Sequence, residues 1–319
     1  MTHSVVLDVD TGVDDALALL FAVAHPDIEL LGVTCVAGNT SLENVVANTF
    51  RVLDAAGAPQ IPVAAGATRP LIEPVRHSHV HGTDGLGDLS LPASTRRLDP
   101  RHAVDLLRDL ILGSAEPVTI VALAPQTNIA LLLRQHPEVA ERLARIVFMG
   151  GSASGGNATA VAEFNVWHDP EAAAITLGAG VPTLMYGLDV FNRVTVDEAA
   201  ADALRDSSTA SGRLAGALLH FPMADDPVTA SYGGHIGDAG AVCALVDPGA
   251  LRIDHLPVRV ELAGQSRGQT VVDRRERQGE DTVHATHAPG PAPHPIDVAL
   301  EVDAARVARL FVETIARLP

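Results

Sequence analysis

The residues best suited to chemistry are acids near the start of the chain, in the run DVDTGVDD at residues 8–15. Asp8 and Asp10 share one side of the preceding strand, because side chains alternate along it. Asp14 and Asp15 begin the next helix. Carboxylates about 4 Å apart repel by about 4 kcal/mol at an effective dielectric constant of about 20, and a helix N-terminus offsets only about 0.3–1 kcal/mol. A bound cation is the natural remedy, and hard oxygen ligands favour calcium or magnesium over zinc.

A plainer interpretation of the same run is that it only shapes a turn. Asp14 and Asp15 would then cap a helix, while Asp8 and Asp10 would face solvent. The acids, however, cluster directly after the apolar strand Ser4–Leu7. This placement favours the metal site over the simple turn.

Further polar groups follow other apparent strands, each just past the carboxyl end of the strand. Asn39 follows the strand that ends at Val36, Leu123 ends its own strand, and Met149 leads into a glycine pair. In open α/β sheets, ligands bind outside the carboxyl ends of the strands. Taken singly, an asparagine fits ordinary turn chemistry, but the shared location predicts a common site. The candidates that follow Met149 are Asn157, Glu163 and Asn165.

Strand-like apolar runs alternate with amphipathic helical segments along the chain. This alternation predicts right-handed crossovers and a mostly parallel sheet. We therefore expect an α/β fold with a single domain over residues 1–319, built on a Rossmann-like central sheet flanked by helices. Residues 196–246 are predicted to be more helical than the rest.

Local sequence signals place one helix start and two loops. Asp99 followed by Pro100 predicts a helix that runs to Leu112, with Asp99 as its N-cap. Loop-like composition over residues 67–98 and 223–237 predicts two active-site loops.

Composition excludes several classes of function. The formal net charge is −17 and aromatic residues make up 3%, so the chain offers neither a basic stripe nor stacking platforms for nucleic acid. No apolar run approaches the roughly 18 residues that a membrane span requires. The N-terminus lacks the basic segment of a signal peptide, and Cys35 and Cys243 lie in apolar segments. We expect a cytoplasmic protein that binds neither nucleic acid nor membrane.

Over essentially its whole length the sequence resembles the inosine–uridine-preferring nucleoside hydrolase family. The matching segments are DVDTGVDDA at 8–16, GNT at 38–40, HGTDGLG at 81–87, PQTNIAL at 125–131, MGG at 149–151, AEFNVWHDPEAA at 162–173, and Asp238 before an apolar helix. The first and sixth segments are specific, and the others occur in the family's order. The resemblance implies the nucleoside hydrolase fold and a homodimer or homotetramer. It also implies calcium-dependent hydrolysis of the N-glycosidic bond of ribonucleosides, giving free base and ribose in purine or pyrimidine salvage.

The resemblance also assigns roles to individual residues. The Ca²⁺ ligands would be the carboxylates of Asp10, Asp15 and Asp238 and the main-chain carbonyl of Leu123, with Asp8 orienting them. Asp10 would also act as general base for the attacking water. The residues that would hold the substrate are Asp14, Asn39, Met149, Asn157, Glu163, Asn165 and Asp238.

One position departs from the family pattern. In many members a His precedes the last calcium-binding Asp and protonates the leaving base, whereas this chain has Gly237 there. His235, two residues earlier, is one candidate for that role, and His81 of the first predicted loop is another. The nearby His77 and His79 are interpreted as solvated loop residues. The sequence leaves open which histidine acts and which base is preferred.

Two other functions fit parts of the sequence. The segment Asp8–Val13 also matches the Asp-x-Asp-x-Thr/Val motif of haloacid-dehalogenase-type phosphatases. Those enzymes normally need a downstream Lys, and this chain contains none, although an Arg could substitute. A nucleoside- or ribose-binding protein that has lost catalysis would explain Gly237. Sugar binding alone, however, does not require a general base at Asp10.

Overall fold

A nine-stranded sheet forms the centre of the protein. The computed structural model describes residues 2–78, 80–221, 234–275 and 294–318. His79 and residues 223–233 of the second predicted loop therefore lie outside the described residues.

The strands and helices follow one another along the chain in the predicted alternation. The strands are β1 (His3–Val9), β2 (Ile28–Cys35), β3 (Val63–Ala65), β4 (Val118–Ala122), β5 (Leu143–Met149), β6 (Thr183–Tyr186), β7 (Leu251–Val260), β8 (Thr270–Val272) and β9 (Pro295–Val302). The helices are α1 (Val13–Ala24), α2 (Leu42–Ala55), α3 (Ala103–Gly113), α4 (Thr127–Gln135), α5 (Phe164–His168), α6 (Pro170–Leu177), α7 (Leu188–Phe191), α8 (Glu198–Arg205), α9 (Ala210–Leu219), α10 (Ala239–Val246) and α11 (Ala304–Ile315).

The strand order of the sheet is β3-β2-β1-β4-β5-β6-β9-β7-β8. All pairings from β3 to β9 are parallel, whereas β7 pairs antiparallel with both β9 and β8. The chain moves outward from β1 in one direction through β2 and β3, and then starts again at β4 in the other direction. The point between β1 and β4 is therefore a topological switch, where ligands bind in sheets of this kind. The predicted single α/β domain with a mostly parallel sheet is confirmed.

Helices cover both faces of the sheet. Val5, Leu7 and Val9 of β1 belong to the core that includes α1, α2, α9, α10 and α11, whereas Val6 belongs to the core beneath α3 and α4. This division follows from the alternation of side chains along a strand. The predicted helical stretch contains α8, α9 and α10. No helix among the described residues has the length and apolar character needed to span a membrane.

The predicted N-cap of α3 is wrong. The helix begins three residues later than expected, and His102 is its N-cap, with Nδ1 accepting from the backbone N–H of Val104 at 3.2 Å. Asp99 instead accepts from the backbone N–H and the guanidinium of Arg101. Because that ion pair occupies the carboxylate, Asp99 shapes the loop before the helix.

Helix α1 is buried on almost every side, because α2, α9, α10 and α11 pack around it. Its Phe21 ring stacks on Phe311 of α11 with centroids 6.2 Å apart and an interplanar angle of 9°. Both side chains are fully buried. Since α1 also carries Asp14 and Asp15, this packing holds the acidic turn in place.

We predict that Phe311→Ala lowers the free energy of unfolding by about 3–5 kcal/mol, because it leaves a cavity against α1. Chemical denaturation would measure the loss. Arg309→Ala, an exposed change on the same helix, is the control and should stay within about 0.5 kcal/mol of the unchanged protein. Equal losses in the two variants would contradict this account of the packing.

Candidate active site

The candidate site lies at the carboxyl edge of the sheet, beside the switch between β1 and β4. Asp10 follows β1, Asn39 follows β2, Leu123 follows β4 and Met149 ends β5. These residues come from neighbouring strands, so the parallel sheet brings their ends together. The shared location that the sequence predicted is confirmed for this set.

Carboxylates form the centre of the site. Ligand atoms of Asp14, Asp15 and Asp238 all lie within 4.8 Å of one another, and all three side chains are buried. The packing of α10 against α1 brings Asp238 to the acidic turn. Asp238 occupies the N-cap position of α10 without making a side-chain capping hydrogen bond. Its carboxylate is therefore available to the site.

Asp15 has both a structural and an electrostatic place in the site. Its Oδ1 accepts from the backbone N–H of Asp10 at 3.2 Å, and its Oδ2 accepts from Gly12 N–H at 2.9 Å and from Asn39 Nδ2 at 3.3 Å. The helix-capping interpretation is thus correct for Asp15. The same carboxylate is nevertheless fully buried beside other acids, which capping alone does not require.

Asp10 presents one bonded oxygen and one free oxygen. Its Oδ2 accepts from the backbone N–H of Asn39 at 2.7 Å, whereas its Oδ1 has no hydrogen-bond partner among the described residues. Gly38 packs so closely that an added Cβ would overlap Oδ2. The backbone after β2 therefore fixes the orientation of the Asp10 carboxylate.

Burial and mutual repulsion raise the pKa of these acids. Burial raises the pKa of Asp10, and the charges of Asp15 and Asp14 add to the effect. Burial, then the charge of Asp14, raises the pKa of Asp15 to about 7. Burial and the same neighbouring carboxylates also raise the pKa of Asp238. Without a counter-charge, the cluster therefore retains protons at pH values where exposed acids are ionised.

Unpartnered oxygens test whether the site suits a cation. Asp8 Oδ2, Asp10 Oδ1 and Asp14 Oδ1 are buried and lack hydrogen-bond partners among the described residues. Buried carboxylate oxygens are normally hydrogen-bonded or bound to a metal. The donor set is composed of oxygen atoms, so the residues present fit a hard divalent cation.

The opposite wall of the site is built by α5 and the segment before it. Glu163 Oε1 accepts from Asn165 N–H at 2.8 Å, and Oε2 accepts from Gly151 N–H at 2.9 Å. Burial raises the Glu163 pKa to about 7 despite these donors. The Asn165 amide donates to the carbonyl oxygens of Leu123 at 3.0 Å and Met149 at 3.2 Å. It therefore links the ends of β4 and β5.

Asn157 occupies a different position from the other predicted substrate residues. It is exposed, and its Oδ1 accepts from the backbone N–H of Phe164 at 2.9 Å. This bond fixes the start of α5. Its predicted contact with substrate stays a prediction.

Two of the predicted histidines flank Asp14. The buried His81 accepts from the backbone N–H of Val13 at its Nδ1 (3.3 Å), and this atom lies 3.8 Å from Asp14 Oδ1. The neutral ring therefore carries its proton on Nε2. His235 is half-buried, is held by backbone pairing with Thr195, and has an unpartnered Nδ1 among the described residues. For both rings burial lowers the pKa and the Asp14 charge opposes it.

Gly237, the departure from the family pattern, is held tightly against the acidic cluster. Its φ is +51°, a conformation that disfavours other residues, and an added Cβ would overlap the Asp14 side chain. A histidine therefore cannot replace this glycine without moving the backbone. His77 is exposed, as predicted, with its Nδ1 3.3 Å from the Gly38 carbonyl oxygen.

The sequence profile of the inosine-uridine preferring nucleoside hydrolases matches residues 5–309. The chain belongs to this family. Its members are ribonucleoside hydrolases, which cleave N-glycosidic bonds, and this chain is an enzyme of that class.

Relatives and solved structures of the nucleoside hydrolase family cover nearly the whole chain. The chain is 40% identical over 280 residues to an inosine-uridine preferring nucleoside hydrolase from Leishmania major, which covers 86% of this chain and 89% of that protein. It is 38% identical over 277 residues to the pyrimidine-specific ribonucleoside hydrolase RihA from Salmonella typhi, with the same coverage. The plant nucleoside hydrolase PpNRh1 superposes with a TM-score of 0.88 at 29% identity over 99% of both chains. A purine-preferring ribonucleoside hydrolase from Gardnerella vaginalis gives 0.87 at 30% identity over 98% of both chains.

The structure adds residues to the nucleoside hydrolase site that the sequence did not single out. Thr34 donates its hydroxyl to Asp8 Oδ1 at 2.6 Å, and Asn48 donates its amide to the carbonyls of Thr11 and Asp84 at 3.3 and 2.9 Å. Asn48 thus connects the acidic turn to the loop that carries His81. Thr34 carried one available signal, since it is a polar residue in the buried carboxyl-terminal half of β2.

We predict that Asp10→Asn stabilises the metal-free protein. The raised pKa means that the folded state holds a proton more tightly than the unfolded chain, so stability is lost as pH rises above about 4. The amide keeps the single hydrogen bond to Asn39 while removing the charge. In chelator at pH 8, the Tm of the variant should exceed that of the unchanged protein by about 2 °C or more, and the difference should shrink at pH 5.

Asp105→Asn, at an exposed position of α3, is the control for this experiment and should show no such pH-dependent gain. Differential scanning calorimetry at pH 8 and pH 5 would compare the Tm of each variant with that of the unchanged protein. A lower Tm for Asp10→Asn at pH 8 would show that repulsion within the cluster does not limit the stability of the metal-free protein.

Proposed function

We propose that this enzyme uses Ca²⁺ to hydrolyse the N-glycosidic bond of ribonucleosides, releasing a free base and ribose. The observation that carries the proposal is a set of buried carboxylates at the switch point of the sheet, several of whose oxygens have no partner among the residues that the structure describes. Membership of the nucleoside hydrolase family supports the reaction class. Family membership also argues against the interpretation of the acidic turn as a phosphatase motif.

The proposed cation ligands are the carboxylates of Asp10, Asp15 and Asp238 and the carbonyl of Leu123. The proximity of Asp14 to Asp15 and Asp238 makes its carboxylate part of the same charged cluster. When bound, a divalent cation would bind the ribose diol and lower the pKa of the attacking water. Its charge would also allow these buried acids to ionise together.

Asp10 is the proposed general base. Its Oδ2 is held by the Asn39 N–H, so Oδ1, which lacks a hydrogen-bond partner in the described part of the chain, is the oxygen available to take the proton of the attacking water. Burial makes this carboxylate more basic than an exposed one, which favours proton transfer near neutral pH. The water oxygen then bonds to C1′ while the C1′–N bond breaks. The electron pair of the C1′–N bond leaves with the nucleobase.

The remaining polar residues are proposed to hold the ribose. Asp14 and Asn39 lie beside Asp10 and would bind the secondary hydroxyls. The rest of the sugar would be held by Glu163, Asn165, Asn157 and the Met149 backbone. Glycosidic cleavage passes through an oxocarbenium-like transition state. The surrounding carboxylates would stabilise its positive charge, and the fixed hydroxyl contacts would supply orientation.

Protonation of the leaving base is assigned to the histidines beside Asp14. Among the described residues the Nδ1 of His235 has no hydrogen-bond partner, and His81 uses its Nδ1 as an acceptor, which leaves the proton on Nε2, so each ring could donate to a base nitrogen. Sugar binding alone would not require a general base at Asp10, which argues against a binding protein without catalysis. The proposal extends to a homodimer or homotetramer that acts in nucleoside salvage in the cytoplasm.

We predict that ribose release depends on calcium. Assays with inosine, adenosine, uridine and cytidine should show turnover with CaCl₂. The rate should fall by about 100-fold or more in chelator, since the general base Asp10 alone cannot activate water efficiently. Restoring calcium serves as the control for unfolding. Equal rates with and without chelator would contradict the metal dependence, and binding without turnover on every substrate would favour the lapsed binding protein.

We predict that replacing the histidine that protonates the leaving base lowers turnover of natural nucleosides but not of a substrate with an activated leaving group. If His235 has this role, His235→Ala should lower kcat on inosine by about 10²–10⁴-fold and leave turnover of a nitrophenyl riboside within a few-fold, because that leaving group needs no proton. His81→Ala tests the second candidate in the same way. His136→Ala is the control, since His136 follows α4 at the opposite edge of the sheet. Normal inosine turnover by His235→Ala would exclude His235.

A further inference from the structure

Asn128, in the first turn of α4, joins the ends of three adjacent strands through one buried side chain. Its Nδ2 donates to Asp8 Oδ1 at 2.8 Å and to the Cys35 carbonyl at 3.1 Å, and its Oδ1 accepts from Ala67 N–H at 2.9 Å. Asp8 is near the end of β1, Cys35 ends β2, and Ala67 lies just beyond β3. The amide therefore ties α4 to the ends of β1, β2 and β3.

The same contact closes the short loop that carries the Leu123 carbonyl. Leu123 N–H donates to the Asp8 carbonyl at 2.8 Å, and five residues later Asn128 returns to the Asp8 side chain. Asp10 follows Asp8 by two residues on the other side of the contact. The Leu123 carbonyl and the Asp10 carboxylate are thus held at a fixed separation by contacts that converge on Asp8.

The fit around Asn128 is close and leaves little freedom. An added Cβ at Gly66 would overlap the Asn128 side chain. The hydroxyl of Thr34 donates to the same Asp8 oxygen at 2.6 Å, so two neutral donors fix that carboxylate from two directions. Asn128 and Asp8 are both fully buried, so these bonds are shielded from bulk water.

We propose that Asn128 is a positioning residue of the metal site, which sets the spacing between the ligands that follow β1 and β4. The inference rests on the proposed function, since it requires a cation at Asp10 and Leu123. Residues that orient metal ligands affect metal affinity by about 10–100-fold when they are replaced. A residue that only fills space and satisfies local hydrogen bonds would affect folding without a selective loss of affinity.

Thr127 offers a matched comparison on the same helix turn. It is equally buried, and its hydroxyl donates to Asp169 Oδ2 at 2.6 Å, on the side of α6 and away from the acidic turn. Thr127→Val therefore removes a buried hydrogen bond of similar length without touching Asp8. Thr34→Val removes the other donor to Asp8 Oδ1 while leaving the Leu123 loop tied to the sheet.

The test is isothermal titration calorimetry with CaCl₂ on the full chain carrying Asn128→Leu, Thr127→Val or Thr34→Val, with the Tm of each measured in chelator. We expect Asn128→Leu to weaken Ca²⁺ binding by about 10–100-fold and Thr127→Val by less than about twofold. Thr34→Val should lie between them. At saturating calcium, kcat of Asn128→Leu should recover to within about threefold of the unchanged enzyme, since no group that touches substrate is lost.

The outcomes separate this inference from the function on which it rests. If the unchanged protein binds calcium and Asn128→Leu binds it equally well, the positioning role is wrong while the metal site stands. Equal losses of affinity in Asn128→Leu and Thr127→Val would also overturn it, since a general loss of packing would then explain both. If the unchanged protein releases no heat with calcium, the metal site itself is wrong. Should Asn128→Leu fail to fold, Asn128→Ser takes its place with the same expectations.

Discussion

The structure depends on keeping several like-charged carboxylates buried together at one edge of a sheet. Burial and repulsion both favour protonation of Asp10, Asp15 and Asp238, so the cluster costs free energy in the absence of a counter-charge. Backbone N–H groups and the N-termini of α1 and α10 offset part of that cost. A folded protein retains such an arrangement where function requires it, and the function proposed for this cluster is to hold a cation against a sugar.

The fold meets this requirement through the reversal of strand order. Chain segments separate where the sheet switches from β1 to β4, which leaves a crevice between the loops that follow them. Close packing then removes the remaining freedom. Gly38 allows the backbone to approach Asp10, and Asn39 uses its main chain on Asp10 and its side chain on Asp15. Rigid strands thereby position the charged groups more firmly than a loop alone could.

The side of the site that would face the leaving base is built differently from the side that would hold the ribose. Histidines at positions 81 and 235 approach Asp14 from separate segments, and Gly237 occupies the space where another side chain would collide with Asp14. Relatives named for inosine and uridine, for pyrimidines and for purines share the same overall fold or family.

The sequence by itself determined the alternation of strands and helices, the acidic turn and the family, because these depend on side-chain period and on motifs contiguous in the chain. Asp238 was assigned to the site only through the family resemblance, because no short-range sequence spacing connects it to Asp15. Only the tertiary structure decided that Asn128 and Thr34 meet Asp8 and that His102 caps α3 in place of Asp99. These contacts depend on strand order, on register and on competing partners, and a local pattern of residue types encodes none of the three.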